Sequence, residues 1–430
     1  MRTKVFHHVS NPQLFKQKLL LWSQAYHEIV WLDSNEYEGK YDNYDAVLAV
    51  DAFTSIKTDF FNAFEDLEEY RSSTSDWIFG YLTYDLKNSI EELISKNYDG
   101  LGFSDLYFFQ PKKLFLLKGD KVEILYLNIV DDELETDLME IEKTELIESK
   151  HSDEPIKIKL RIHKDEYFDK VNQMLGHIQH GDIYEANFCQ EFYSENCTIH
   201  PLDTFRKLNN ISKPPFATFL KIEDKYLMSA TPERYIKKEG SKVISQPIKG
   251  TARRSVNFNE DQKLARELSD DEKERSENIM IVDLVRNDLS HTAKRGSVKV
   301  EELCKVYSFL QVHQMISTIS SEVTEGISPI EILKTTFPMG SMTGAPKISA
   351  MKIIEAIEET KRGLYSGSVG YFKPNGDFDF NVIIRSILYN STKQYVSYSV
   401  GSAITAKSDP LKEYEECLVK AKAMREVLEN

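Results

Sequence analysis

Phe216-Ala217-Thr218-Phe219-Leu220-Lys221-Ile222, Tyr226-Leu227-Met228-Ser229, Arg234-Tyr235-Ile236-Lys237 and Val243-Ile244-Ser245-Gln246-Pro247 follow one another with only short polar turns between them. Each run is rich in β-branched and aromatic residues and too short for a helix. Upstream, Tyr167, Val171, Leu175 and Ile178 recur at helical spacing, and Gly181 sits where that helix would stop. Downstream, a helical block covers Asn259 to Leu289, with Ser269 and Glu272 at capping-box spacing. Another helix begins at Pro346. Gly367 to Lys373 and Phe378 to Leu388 read as strands around Pro374-Asn375-Gly376-Asp377, a hairpin turn. Tyr395 to Val400 adds a strand, and Leu411 to Leu428 closes the chain as a helix. Locally joined strands with long helices gathered between them predict an α+β fold with antiparallel sheets.

The N-terminal part reads as mixed helix and strand. Leu14 to Tyr26 is helical, Glu28 to Leu32 and Tyr44 to Val50 are strands, and Trp77 to Leu82 is a buried run followed by a helix over Tyr84 to Ile94. Leu106 to Leu117 and Val122 to Leu127 form a hairpin around Lys118-Gly119-Asp120-Lys121. Asp131 to Glu154 is then dense in Asp and Glu and reads as a solvated helical connector. The chain thus divides into residues 1–130, an acidic connector at 131–155, and a C-terminal part at 156–430.

With 430 residues, 41% hydrophobic and 29% charged, the chain has the composition of a globular protein with a large core. A formal net charge of -15 with no basic block argues against nucleic acid as a partner. Cys189, Cys197, Cys304 and Cys417 show no C-x-x-C spacing, which suits a reducing compartment. No signal-peptide stretch or membrane-spanning window is present, so a cytoplasmic protein off the membrane is expected.

Gln246-Pro247-Ile248-Lys249-Gly250-Thr251-Ala252-Arg253-Arg254 is the first candidate for chemistry. A lysine nucleophile must spend time neutral, and nearby cations or partial burial lower its pKa for that. Taken alone, Lys249 reads first as an exposed strand lysine. Glu274 with Glu277, and Glu413 with Glu416, lie three residues apart on helices, so each pair can point at one spot. Oxygen-only donors of this kind suit Mg²⁺ held with waters and an anionic substrate, although solvated acidic surface has the same spacing. Thr336 to Lys347 is a Gly-rich turn entering a helix, fit for a substrate carboxylate or simply a helix entry. His313 sits in a semi-apolar strand as a core histidine would, and Arg385 would be costly to bury without an anion.

These stretches combine. Gly181-Asp182-Ile183-Tyr184-Glu185-Ala186-Asn187, Pro247 to Thr251, Ile281 to Leu289, Phe337 to Lys347, Tyr365 to Tyr371 and Glu413 to Lys420 occur in the order seen in chorismate-utilising enzymes. Over about residues 165 to 425 the chain resembles the anthranilate synthase large subunit, and more closely aminodeoxychorismate synthase component I. Residues 1–130 match more loosely, through Trp31-Leu32-Asp33-Ser34 and Phe79 to Asp85. The resemblance implies two antiparallel sheets forming a sandwich surrounded by helices. Anthranilate synthases carry Ala where Lys249 stands, whereas aminodeoxychorismate synthases typically carry Lys. The branch so implied attacks C2 of chorismate with Lys249, expels the C4 hydroxyl and adds ammonia at C4. Its product is 4-amino-4-deoxychorismate, precursor of p-aminobenzoate and folate, and its ammonia comes from a glutamine amidotransferase subunit.

By the same resemblance Glu277 and Glu416 bind Mg²⁺ with Glu274 and Glu413 in support, and Glu233 is the general acid. Gly250, Thr343, Tyr365, Arg385, Gly401, Ser402 and Lys420 hold chorismate, with His313 beside the ring. Ser34 falls in a region resembling the family's tryptophan pocket. Isochorismate-forming relatives use a lysine at the position of Glu185 to activate water, a task Glu185 cannot perform in the same way. Met339, Met342, Asn278, Cys417 and Ser402-Ala403 depart from the commonest pattern; the last pair stands where two glycines are usual and could crowd the backbone at a carboxylate. Anthranilate synthase is the alternative within the class. A chorismate-binding or partner-binding protein without turnover is the alternative outside it.

Overall fold

The computed structural model describes residues 1–429 apart from 92, 147–155 and 311. Two long strands, Ala46–Thr58 and Leu106–Lys118, pair antiparallel from Ala46↔Leu117 to Thr58↔Leu106, and two arms of sheet diverge from them. One arm runs through Glu28–Asp33, Phe216–Ile222, Lys225–Thr231, Ser386–Asn390, Tyr395–Thr405 and Glu185–Glu195. The other leaves Leu106–Lys118 through Ile78–Leu82, Ser368–Phe372, Phe378–Asn381, Arg234–Glu239, Lys242–Gln246 and Val312–Glu322. Val312–Glu322 in turn carries Lys299–Ser308 and Ile248–Arg253. All these pairings are antiparallel, and the fold is α+β.

The first arm is buried on both faces, which is why its strands lack polar alternation. Val30, Leu220 and Leu227 face the core between the arms, where Phe79, Phe108, Phe372 and Phe380 pack. Ile29, Trp31, Phe219 and Met228 face the other way, toward a second core under the helices Lys164–His180, Pro201–Ser212 and Pro410–Glu429. Each fully buried large side chain contributes roughly 1.5–3 kcal/mol to holding these layers together.

The helical block expected over Asn259 to Leu289 is two helices, Phe258–Asp270 and Glu272–Ser290. Asp271 breaks it by accepting the Glu274 N–H at 3.0 Å, an N-cap that displaces the Ser269–Glu272 box. The helix expected over Tyr84 to Ile94 shrinks to the short turns Tyr84–Leu86 and Lys87–Ile90, where Lys87 is buried 3.0 Å from Glu355. Within the acidic stretch, Leu134–Lys143 is a helix with one face buried; Asp137 there accepts from Lys113 at 2.5 Å and Tyr126 at 2.8 Å. The rest of that stretch, from 147, lies outside the described residues. Among the described residues no helix is long and apolar enough to cross a membrane.

The chain changes arms twice at one place. Lys225–Thr231 and Arg234–Glu239 belong to different arms, joined by Pro232-Glu233. The strand expected over Phe378 to Leu388 is likewise split into Phe378–Asn381 and Ser386–Asn390, one in each arm. Arg385 turns the chain with a left-handed φ of 51°. The two crossovers bond to each other, Val382 N–H to Glu233 O at 3.0 Å and Ala230 N–H to Arg385 O at 3.1 Å.

Candidate active site

The paired crossovers bring Glu233 and Arg385 together. Glu233 is 3% exposed. Burial pushes its carboxyl up from 4.5 to about 7, against the opposing pull of the Ser341 hydroxyl, Lys249 and Arg385. Burial pulls the Arg385 guanidinium down, and Glu233 is the carboxylate that opposes this. Among the described residues that half-buried guanidinium makes no hydrogen bond and no ion pair, which leaves it free to meet an anion. A left-handed arginine stores strain of order 1–2 kcal/mol, a feature that clusters at ligand sites.

Lys249 lies on Ile248–Arg253, its Nζ 3.1 Å from Glu185 Oε1 with the two side chains 12% and 1% exposed. Cations beside the lysine were the expectation, and the structure reverses it. Arg253 and Arg254 turn to Glu260 and Asp261 at 3.1 and 2.8 Å, on the Phe258–Asp270 helix. Burial alone would lower the Lys249 ammonium, but the carboxylates of Glu185, Glu277 and Glu233 outweigh it and hold the pKa above its ordinary value. Gly250 follows with φ of 90°, and a Cβ there would sit 3.2 Å from Glu274 Oε2. The left-handed glycine thus lets the lysine strand lie against the Glu272–Ser290 helix.

That helix and Pro410–Glu429 bring together the four predicted metal-binding carboxylates. Lys273 Nζ lies 3.8 Å from Glu277 Oε1 and 3.7 Å from Glu413 Oε1. Glu277 is pushed up to about 7 by burial, with Lys249 opposing and Glu185 and Glu274 reinforcing. Glu274 is raised by burial and then by Glu416. Glu416 is exposed, and Lys420 at 2.7 Å holds its carboxyl low against partial desolvation. Glu277 Oε1 is buried without a hydrogen-bond partner. A buried carboxylate oxygen without a donor, among like charges, fits a divalent cation held by one or two carboxylates. Among the described residues no group of three or more His, Cys, Asp or Glu side chains is arranged to hold a metal ion, so a cation here would draw most of its ligands from water and substrate oxygens.

The Glu185–Glu195 and Tyr395–Thr405 pair forms one wall. Its period of two puts Glu185, Asn187 and Cys189 on one face, with Gly401 opposite Cys189 and Ala403 opposite Asn187. A Cβ on Gly401 would meet Cys189 Sγ at 2.6 Å and Asn187 Oδ1 at 2.8 Å. Lys420 donates to Gly401 O at 2.9 Å. Ser402 stands opposite Phe188, on the face toward the helices, so its side chain lies in the apolar layer behind the wall. The crowding expected from Ser402 therefore does not arise in the cleft, and at this position only backbone can meet a substrate there. Asn187 N–H donates to Thr343 O at 2.7 Å, and the Thr343 hydroxyl turns back to Met339 O at 3.1 Å. Tyr365 is buried, its hydroxyl 3.9 Å from Cys189 Sγ.

His313 is fully buried with both ring nitrogens engaged, by Ser308 Oγ at 2.8 Å and Asp261 Oδ1 at 3.0 Å. It is fixed toward the Phe258–Asp270 helix. Its neighbour Gln314 takes the opposite face of the strand, with a buried, unpartnered Oε1. Gln314 and Asn187 are polar groups that the sequence did not single out as site residues, and Glu185 stood out there only as the position of a lysine in isochorismate-forming relatives. For Glu185 and Asn187 strand periodicity within the Gly181–Asn187 motif was the available signal. Ser34 lies in a separate cavity, lined also by Asp33, Tyr44, Phe216, Tyr371 and Arg234. Its hydroxyl is buried and unpartnered, while Arg234 pairs with Asp42 at 2.6 Å and Asp379 at 3.0 Å.

Residues 19–426 match the family model described as chorismate binding enzyme. The chain is 33% identical over 360 residues to anthranilate synthase component 1 of Thermus thermophilus, covering 82% of this chain and 77% of that protein. It is 31% identical over 368 residues to aminodeoxychorismate synthase component 1 of Bacillus subtilis, covering 81% and 76%. Its fold matches the crystal structure of anthranilate synthase component I from Streptococcus pneumoniae with a TM-score of 0.78 at 24% identity, covering 91% of this chain and 95% of that one. The chain belongs to the chorismate-binding enzyme family.

Proposed function

We propose that the chain is the chorismate-aminating subunit of an aminodeoxychorismate synthase. It converts chorismate and ammonia, supplied by a glutamine amidotransferase partner in the cytoplasm, to 4-amino-4-deoxychorismate for p-aminobenzoate and folate. The observation that carries this reading is Lys249, buried 3.1 Å from Glu185 in the cleft that also holds Glu233, Arg385 and the four carboxylates. An anthranilate synthase has no use for an amine nucleophile there.

Arg385 and Lys420, with the backbone at Thr343 and Gly401, hold the substrate carboxylates. Mg²⁺ bound by Glu277 and Glu416, with Glu274 and Glu413 in support, would anchor the ring carboxylate and polarise the ring. Lys249 Nζ bonds to C2, the ring double bonds shift, and the C4–O bond breaks. Glu233 gives its proton to the departing hydroxyl, which leaves as water. Ammonia adds at C4, the double bonds shift back, and the bond to Lys249 breaks.

Product analysis with chorismate, Mg²⁺ and excess ammonium tests this on the wild type and K249A. Aminodeoxychorismate from the wild type, lost in K249A and without Mg²⁺, is the expected result. The 33%-identical anthranilate synthase supports the second reading. Anthranilate and pyruvate from both proteins would establish it and make Lys249 a bystander. Chorismate binding with no product under any ammonia supply would point to a protein without turnover.

A further inference from the structure

We infer that Glu185 is the catalytic base for Lys249, taking the proton that the ammonium must lose before Nζ can attack; this rests on the aminating reading above. Glu185 Oε1 is the only carboxylate oxygen within ion-pair distance of Lys249 Nζ among the described residues, at 3.1 Å. Glu185 is 1% exposed, and its other oxygen, Oε2, is buried with no hydrogen-bond partner. The strand is held in place on both sides: Thr405 pairs with Glu185 across one edge and Ala345 across the other. A base so placed needs no water to reach the lysine.

The other groups around Nζ are occupied differently. Glu277 and Glu274 approach from the Glu272–Ser290 helix, Glu416 from Pro410–Glu429, and Glu233 from the crossover. Glu277 and Glu274 stand with the carboxylate cluster, Glu416 is paired with Lys420, and Glu233 must keep a proton for the leaving hydroxyl. When substrate fills the cleft and displaces water, a charged pair loses its hydration, and the neutral amine–acid pair becomes accessible.

The protons then balance. One passes from Lys249 Nζ to Glu185 Oε1, and the freed lone pair forms the bond to C2. The C4 hydroxyl leaves as water with the Glu233 proton. After ammonia adds at C4, the Nζ–C2 bond breaks with its electrons on nitrogen, and Nζ recovers the proton from Glu185. The surplus proton on the new C4 nitrogen returns to Glu233.

The test mixes wild type, E185Q and E185D with chorismate and Mg²⁺ but no ammonia, and follows the covalent adduct on Lys249 by quenched intact-mass spectrometry. Glutamine keeps the shape and an oxygen facing Nζ but cannot accept a proton. E185Q is expected to form adduct at least about 10²-fold more slowly at neutral pH, while binding chorismate by calorimetry as wild type does. The deficit should narrow as pH rises, because hydroxide then takes over the deprotonation of the lysine. E185D, with its carboxylate drawn back, should fall between them, and it carries the test if E185Q fails to fold. Adduct at wild-type rate in E185Q, or a deficit unchanged by pH, would overturn the role of Glu185 while leaving the aminating reading intact. A wild type that forms no adduct, yet releases anthranilate and pyruvate once ammonium is added, would overturn both.

Discussion

Glu233 holds its proton near neutrality because burial at the crossover outweighs Lys249 and Arg385, and this has consequences of opposite sign for rate and stability. In the general-acid role proposed for it Glu233 works protonated, so turnover should decline as pH rises through about 7, its folded-state pKa. E233Q should lose about 10²–10⁴-fold in kcat and the alkaline limb with it. Stability runs the other way. A carboxyl raised from 4.5 to about 7 on folding leaves stability intact below 4.5 and costs it progressively as pH climbs through 7. Glutamine escapes that cost, so urea unfolding should find E233Q more stable than wild type at about pH 8, by at most about 3 kcal/mol, and equal at about pH 4. A destabilised E233Q at the higher pH would mean that Lys249 and Arg385 depend on this charge more than burial opposes it. Lys249 was legible from its motif, but its electrostatics were not: the nearby arginines reach a helix, and the partner that matters is Glu185, far away in sequence.

The wall and the crossovers make their own predictions at the scale of elements. Gly401 must lack a side chain because Cys189 and Asn187 cover it from the facing strand. G401A should raise KM for chorismate, and adding C189A should recover part of the loss, since the closest clash is with the sulfur at 2.6 Å. No recovery would assign the constraint to Asn187 or to the Phe188 carbonyl instead. At the other crossover, Arg385 combines a left-handed backbone with a half-buried guanidinium that has no partner among the described residues. R385G relieves both, so it should melt no lower than wild type while chorismate affinity falls by at least about 10-fold, the loss of a charge-assisted contact. A large drop in melting temperature would show that the guanidinium is paired in solution. The hairpin at Pro374–Asp377 and the local strand order were legible because turn residues announce themselves. The switch of arms was not: Val382 to Arg385 continues an unbroken β-like run, and the residue that turns the chain is an arginine rather than a glycine. Lys299–Ser308 was missed for another reason, since its mostly exposed face carries charges where a half-buried strand would alternate.

The two arms border a second cavity, which lies beside the crossover that carries Glu233. Leu32, Ser34 and Phe216 line it from the first arm, Val47 from the central pair, and Arg234, Val369, Tyr371 and Asp379 from the second arm. Ser34 Oγ is buried there without a partner, and Arg234 is the residue after Glu233. A ligand filling this space would bridge the arms where the chain passes between them. Tryptophan, which the resemblance implies for the Ser34 region, offers an apolar ring for Tyr44 and Phe216 and polar ends for the Arg234–Asp42 network. S34A should cost the free protein little stability, because the hydroxyl has no partner to lose. It should weaken tryptophan about 10-fold if that hydroxyl is completed by the ligand. By linkage, any change tryptophan makes in chorismate affinity must be matched by the change chorismate makes in tryptophan affinity. Calorimetry of tryptophan with and without chorismate measures both sides of that equality. Equal, non-unit factors would mean that the Arg234 corner transmits between cleft and cavity. Binding with a factor of one would make the cavity an independent structural site, and no heat of binding would leave Ser34 and Arg234 as parts of the scaffold alone.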